Sequence, residues 1–292
     1  MRRLRTRAVP YLFLLPFLLL FLSFLAAPLF YALGLSLFRD TMVSGRVFVW
    51  LGNYAGVLAD PSFWYGVGNM VLFGVMQIPV MLALALVFAL ILHDRIVHAH
   101  ALFRIGFFVP YAVPSVLAAL IWGYLYGPAF GPAHQLARLV HVSAPDFLSL
   151  RWMLPSLANI VTWEFTGYNM IILYAALQAV PHEVEEAAAL DGASWWQLAF
   201  YVKIPMIGAA ILMTLIFSTI HTLQLFNEPQ VMGSIAPAVI GDHFTPNLYA
   251  YNLAFNGQQL NYAAAISFAL ALLVAAPAYG FTFAARRTRG SA

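Results

Sequence analysis

Five stretches of this sequence run for more than about 20 residues without an aspartate, glutamate, lysine or arginine: 8–38, 61–93, 105–137, 204–227 and 243–285. A sixth, 152–182, is interrupted only by Glu164. Twenty apolar residues form a helix about 30 Å long, the thickness of a bilayer's hydrocarbon core. In lipid every backbone polar group must bond within the protein, which helices do segment by segment, and the runs lack the strict alternation of barrel strands. The chain is 63% hydrophobic and only 9% charged, against roughly 25% charged in soluble domains. The expected fold is all-α: a polytopic membrane bundle of six transmembrane helices in a single domain over 1–292. The spans are placed at about 11–37, 64–92, 105–127, 153–179, 206–227 and 262–285.

The basic residues give an orientation. With both termini in the cytoplasm, Arg2, Arg3, Arg5, Arg7, Arg95, Arg104, Lys203, Arg286, Arg287 and Arg289 are inside, and only Arg39, Arg46, Arg138 and Arg151 are outside. The net charge of +3 is then an orientation signal and not a nucleic-acid footprint. The basic N-terminus with Ala26-Ala27 resembles a signal peptide, but the apolar run exceeds the 7–15 residues of a signal core, so an uncleaved first span is expected. There is no cysteine, hence no disulfide framework or thiolate metal site.

The inner loop 181–205 departs from the basic pattern: it carries Glu183, Glu185, Glu186 and Asp191 against a single Lys203. Pro181 suits a helix start, the glutamates suit its positive first turn, and Gly192 offers a bend. A second short helix, capped by Ser194 and ending before Pro205, would follow. Ala187, Ala188 and Ala189 leave room for another protein to approach, and the carboxylates offer strong partners for arginine or lysine. An ordinary interfacial connector is the plainer reading of the same composition.

The segment Glu186-Ala187-Ala188, Gly192, then Val202-Lys203-Ile204-Pro205 resembles the "EAA" loop of ATP-binding-cassette (ABC) importer permeases, at matching spacing. More of the chain resembles the maltose- and trehalose-type sugar branch: Leu51-Gly52-Asn53-Tyr54, Asp60-Pro61, Phe103-Arg104, Trp163 with Gly167-Tyr168-Asn169-Met170, Leu225-Phe226-Asn227-Glu228-Pro229 and Leu248-Tyr249. The resemblance implies a type I importer permease fold and an elbow that docks into a cytoplasmic ABC ATPase dimer through Glu183, Glu186, Ala187, Ala188, Asp191 and Gly192. It also implies a second permease subunit, usually a related but different chain, and an extracytoplasmic sugar-binding protein. No phosphate-binding loop of the Gly-x-x-x-x-Gly-Lys-Ser/Thr type occurs and Lys203 is the only lysine, so ATP and Mg are expected on the partner and no cofactor on this chain.

Polar residues inside spans mark a path or a helix contact. Glu164 would cost about 2.5–3.5 kcal/mol at a bilayer centre and should face the bundle or water, with Tyr168 one turn on. A carboxylate beside a ring suits a sugar; alternatively Glu164 sits near the outer headgroups or pairs with Arg151. Ser218, His221, Thr222 and Leu225 fall on one helical face, as a cargo stripe or as interhelical bonds. The resemblance to the maltose member places sugar-site positions on Glu164, Phe165, Tyr168, Ser218, His221, Thr222 and Leu225, with Tyr168 and Ser218 keeping the residue type. His93, His98 and His100 with Asp94 are read as solvated and not as a metal site, Glu228 as a helix-end residue or an outer-gate contact, and Pro16, Pro28, Pro79, Pro110, Pro114 and Pro155 as kinks.

The sequence thus reads as a non-catalytic permease of a sugar importer in a bacterial or archaeal cytoplasmic membrane. Rival readings are the same machinery importing glycerol phosphate or an aminosugar, an ion-coupled secondary transporter with Glu164 as proton carrier, and a membrane enzyme using Glu164 with His221. The absence of arginine or lysine within the spans favours a neutral sugar over a phosphate.

Overall fold

The computed structural model of the chain describes residues 2–41, 45–94, 99–128, 131–139 and 141–289. Arg95 and His98 lie outside the described residues. The chain divides into two compact units, 1–64 with 249–272, and 65–248 with 273–292.

In the first unit, helix Arg2–Phe21 continues through a π-turn, Leu22–Ala26, into helix Ala27–Ser36. Pro28 follows the π-turn, a common way for a helix to accommodate a missing N–H. A two-stranded antiparallel hairpin follows, β1 (Phe38–Thr41) with β2 (Gly45–Phe48), a small addition to the expected all-α fold. The buried Asn53 holds this corner: its Nδ2 donates to the carbonyls of Ser36 at 2.8 Å and Phe38 at 2.7 Å, satisfying groups that a helix end leaves open. Asp60-Pro61 then starts the long helix Pro61–His93, whose residues from Tyr65 on belong to the second unit, with an aspartate cap, which accepts the Ser62 N–H at 2.9 Å, and proline in the first turn.

In the second unit, helix Met153–Leu177 carries much of the packing, contributing Leu157, Ile160 and Val161 to one core cluster and Met170, Leu173 and Leu177 to another. Gly167 is required there, because a Cβ would collide with the backbone carbonyl of Phe107. The expected third span is not straight. Helix His100–Phe108 runs into a 3₁₀ turn, Val109–Ala112, and restarts as Ser115–Tyr126 after a 96° change of direction. Pro114 forces Val113 into an extended conformation, φ −79° and ψ 125°, and breaks the helix there. Pro79, by contrast, sits inside an unbroken helix.

The fifth span is shorter than expected. Helix Gly208–Thr222 has 15 residues, and a separate helix, Asn227–Ile235, follows. Among the described residues, Tyr11–Ser36 and Pro61–His93 are long and apolar enough to cross a bilayer, and two bent pairs would make four if each counts as one span. By length and composition this falls short of six spans.

Candidate transport cavity and coupling elbow

The loop 181–205 is an elbow of two helical limbs. Helix His182–Leu190 begins after Pro181 with Glu183 and Glu185 in its first turn. Gly192 turns the chain at φ +81°, a left-handed conformation that favours glycine. Ser194 and Gln197 form a reciprocal capping box that starts Trp195–Leu198, with the Ser194 N–H donating to Gln197 Oε1 at 2.8 Å. The second limb does not stop before Pro205. It passes through a π-turn, Ala199–Lys203, and ends at Met206, and the 70° bend comes at Ile207. Proline is accommodated because the π-turn before it has already rearranged the hydrogen bonds its missing N–H would break. Ala199 and Ile207 are buried in the same core cluster as Met170 and Leu173 of helix Met153–Leu177.

Glu183, Glu186, Ala187, Asp191 and Gly192 are exposed and Ala188 is half-buried, an open acidic face on one side of the bend. Glu185 is different. It turns inward to Lys203, whose side chain is 1% exposed and whose Nζ lies 3.3 Å from Glu185 Oε2 and bonds Asp94 Oδ1. Trp195 Nε1 donates to Asp94 Oδ2 at 2.5 Å, and His93 Nε2 lies 3.0 Å from Glu185 Oε1. His93 is therefore not solvated; its side chain is 7% exposed and sits in this cluster at the end of helix Pro61–His93. His93, Asp94 and Glu185 each bring a ligand atom within 4.8 Å of the others, a spacing that suits a metal ion. The Lys203 ammonium bonds both carboxylates and supplies the cationic charge.

A cavity of about 210 Å³ lies among helices Pro61–His93, Met153–Leu177 and Gly208–Thr222 and the 3₁₀ turn. Its aromatic wall is Tyr111 stacked on Tyr168, with centroids 4.6 Å apart and planes at 20°, and Phe165 between Tyr111 at 5.6 Å and His221 at 4.1 Å. Its polar groups are Gln77, Asn169, Ser218, His221 and Thr222, and Met81, Val161 and Phe217 complete the lining. Five expected cargo residues, Phe165, Tyr168, Ser218, His221 and Thr222, meet here.

Glu164 and Leu225 do not. The lining face of helix Met153–Leu177 is Val161, Phe165, Tyr168 and Asn169, at helical spacing, and Glu164 falls just past its edge. Glu164 is 4% exposed with Oε2 unpaired, and nearby Glu228 is 3% exposed. Leu225 leaves the stripe because the helix ends at Thr222, and its side chain joins the apolar core. Gln77, Met81, Tyr111 and Asn169 were not singled out for the path. A lone glutamine inside an apolar run was a readable signal for the first; the turn that delivers Tyr111 was not.

No protein-family model matches the chain. It is 33% identical over 290 residues to the lactose transport system permease protein LacF of Rhizobium radiobacter, spanning 96% of this chain and 94% of that one. The chain belongs to the permease family of ABC sugar importers. The permease is also 29% identical over 252 residues to the trehalose/maltose transport system permease protein MalF of Thermococcus litoralis, across 85% of this chain and 84% of that one. Its fold matches a bacterial ABC transporter for import of the acidic polysaccharide alginate, with TM-score 0.85, 18% identity and 98% of each chain covered. Like its relatives, the permease is a membrane transport subunit and not an enzyme.

Proposed function

We propose that this permease forms half of a sugar-conducting pore, crossing a bacterial or archaeal cytoplasmic membrane six times with both ends inside. The two bent helix pairs then each count as one span, and Met153–Leu177 and the C-terminal helix Leu260–Arg289 supply the remaining two. A second, homologous permease completes the pore, an extracytoplasmic binding protein delivers the sugar, and a cytoplasmic ATPase dimer binds ATP and Mg. The ATPase docks on Glu183, Glu186, Ala187, Ala188, Asp191 and Gly192. Its closure rotates the elbow and switches the bundle between outward- and inward-open states as rigid bodies.

The observation that carries the sugar assignment is the cavity itself, where stacked Tyr111 and Tyr168 face amides and hydroxyls. Aromatic faces suit the C–H surfaces of a pyranose, and amides and hydroxyls both donate and accept, as sugar hydroxyls require. Among the described residues no lysine or arginine lines the cavity, which favours a neutral sugar over a phosphorylated one. In vesicles holding both permeases and the ATPase, uptake of labelled lactose, maltose or trehalose should require ATP. Tyr168→Ala should cut it about tenfold with the ATPase still attached, the loss of an aromatic platform being worth on the order of 1 kcal/mol or more. Wild-type uptake by that variant would remove the cavity from the path.

A further inference from the structure

The floor of the cavity holds two amides whose hydrogen bonds are poorer than their chemistry permits. Gln77, 1% exposed, donates from Nε2 to the Met81 sulfur at 3.0 Å, while its Oε1 accepts from Thr222 Oγ1 at 3.3 Å. Asn169, 2% exposed, gives one N–H to the Phe165 carbonyl at 3.1 Å and reaches the same sulfur at 3.6 Å. A thioether is a weak acceptor, so two buried donors share one poor partner, in a setting where unsatisfied amides are penalised. The volume is short as well: about 210 Å³, below the roughly 300–1,000 Å³ of ligand sites.

Both shortfalls have one remedy. We infer that Met81 is a movable stopper and that Gln77 and Asn169 are cargo-binding groups resting on it, released to a sugar hydroxyl when the thioether swings aside. Methionine suits the part because its unbranched side chain has three rotatable bonds and adapts to changing shapes. A hydroxyl accepts better than sulfur and also donates, so it replaces the lost contact and adds one. Helix Pro61–His93 thereby contributes to specificity through two residues one turn apart. The inference rests on the reading of the cavity as the sugar path.

The test compares KM for ATP-driven uptake of radiolabelled lactose, maltose and trehalose in vesicles containing the whole complex. Met81→Ala removes both the acceptor and the bulk that has to swing aside, leaving the donors unpaired only when the cavity is empty; KM should fall at least about threefold, the size of a weak hydrogen bond. Gln77→Met and Asn169→Leu remove a donor, and KM should rise about three- to tenfold with maximal rate retained. Opposite directions from neighbouring substitutions are not what a merely structural role gives, since packing damage would lower the inserted amount in every variant. If Tyr168→Ala impairs uptake but all three variants keep the wild-type KM, or all three raise it, the stopper is wrong and the sugar path stands. If no sugar is taken up, or Tyr168→Ala is silent, the path itself is wrong and the stopper falls with it. Should Gln77→Met fail to insert, the opposed KM shifts of Met81→Ala and Asn169→Leu decide.

Discussion

The elbow cluster and the cavity floor solve one problem, polar groups placed out of water, in opposite ways. At the elbow, Lys203 meets two carboxylates, a tryptophan N–H completes one of them and His93 completes the other. At the floor, two amides meet one sulfur. Charge-assisted bonds are strong and directional, and breaking a buried set leaves an uncompensated ion. Contacts to a thioether are weak and easily exchanged. The first arrangement suits a joint that must carry force without yielding, the second a surface that must remake its bonds with each passing molecule.

The largest expected effect breaks the rigid half of this contrast. Lys203→Ala leaves Asp94 and Glu185 facing each other without a cation, and removal of one partner from a buried pair costs roughly 3–5 kcal/mol. The side chains are 14% and 15% exposed, so a loss of about 3 kcal/mol, at the low end, is expected, read as a lower melting temperature of the detergent-solubilised permease. An unchanged melt would mean the cluster carries no load. Next comes the outer face of the same elbow. Glu186→Lys touches none of these bonds, so the melt should stay within about 0.5 kcal/mol of wild type while ATPase co-purification drops about tenfold, one reversed contact of a charged interface. Equal association would move the docking surface elsewhere.

The smallest effect tests a third solution. Burial alone would raise the Asp60 carboxyl, but hydrogen bonds from Tyr249 at 2.8 Å, the Ser62 N–H at 2.9 Å and Tyr262 at 3.2 Å outweigh it and hold the group below its ordinary value of 3.8. A lowered carboxyl contributes stability that is present above the unfolded value and lost as pH falls through the folded one. Asp60 is half-exposed, so solvent limits the gain to below about 1 kcal/mol. Between pH 5 and pH 3, Asp60→Asn should flatten a small acid-side loss of stability, and identical acid limbs in both proteins would show that the tyrosines contribute nothing through Asp60.

Much of the elbow was legible in the sequence because capping and bending have local chemistry: Pro181, Gly192 and Ser194 act within a few residues of themselves, and the structure adds Gln197 as the partner of Ser194. The inward turn of Glu185 was not, since its partners His93 and Lys203 lie 92 and 18 positions away, and only packing decides which of three neighbouring glutamates meets them. The cavity was half legible. Ser218, His221 and Thr222 share the face that the helical period gives them, but the period also put Glu164 with Tyr168 and assumes that the helix continues. Leu225 was misplaced because the helix ends at Thr222 with no glycine or proline to announce it. Tyr111 was missed for the converse reason, a break at Pro114 that swings a ring from a supposedly straight span into the site.

The segment Tyr11–Ser36 has none of its most apolar window covered by the rest of the chain, whereas Pro61–His93 has 39% covered. Extracted from lipid, such a rod gathers a sheath of surfactant along its whole length. Any molecular weight measured on the purified chain by scattering or size exclusion then includes that sheath, and must be corrected for bound detergent before subunits are counted.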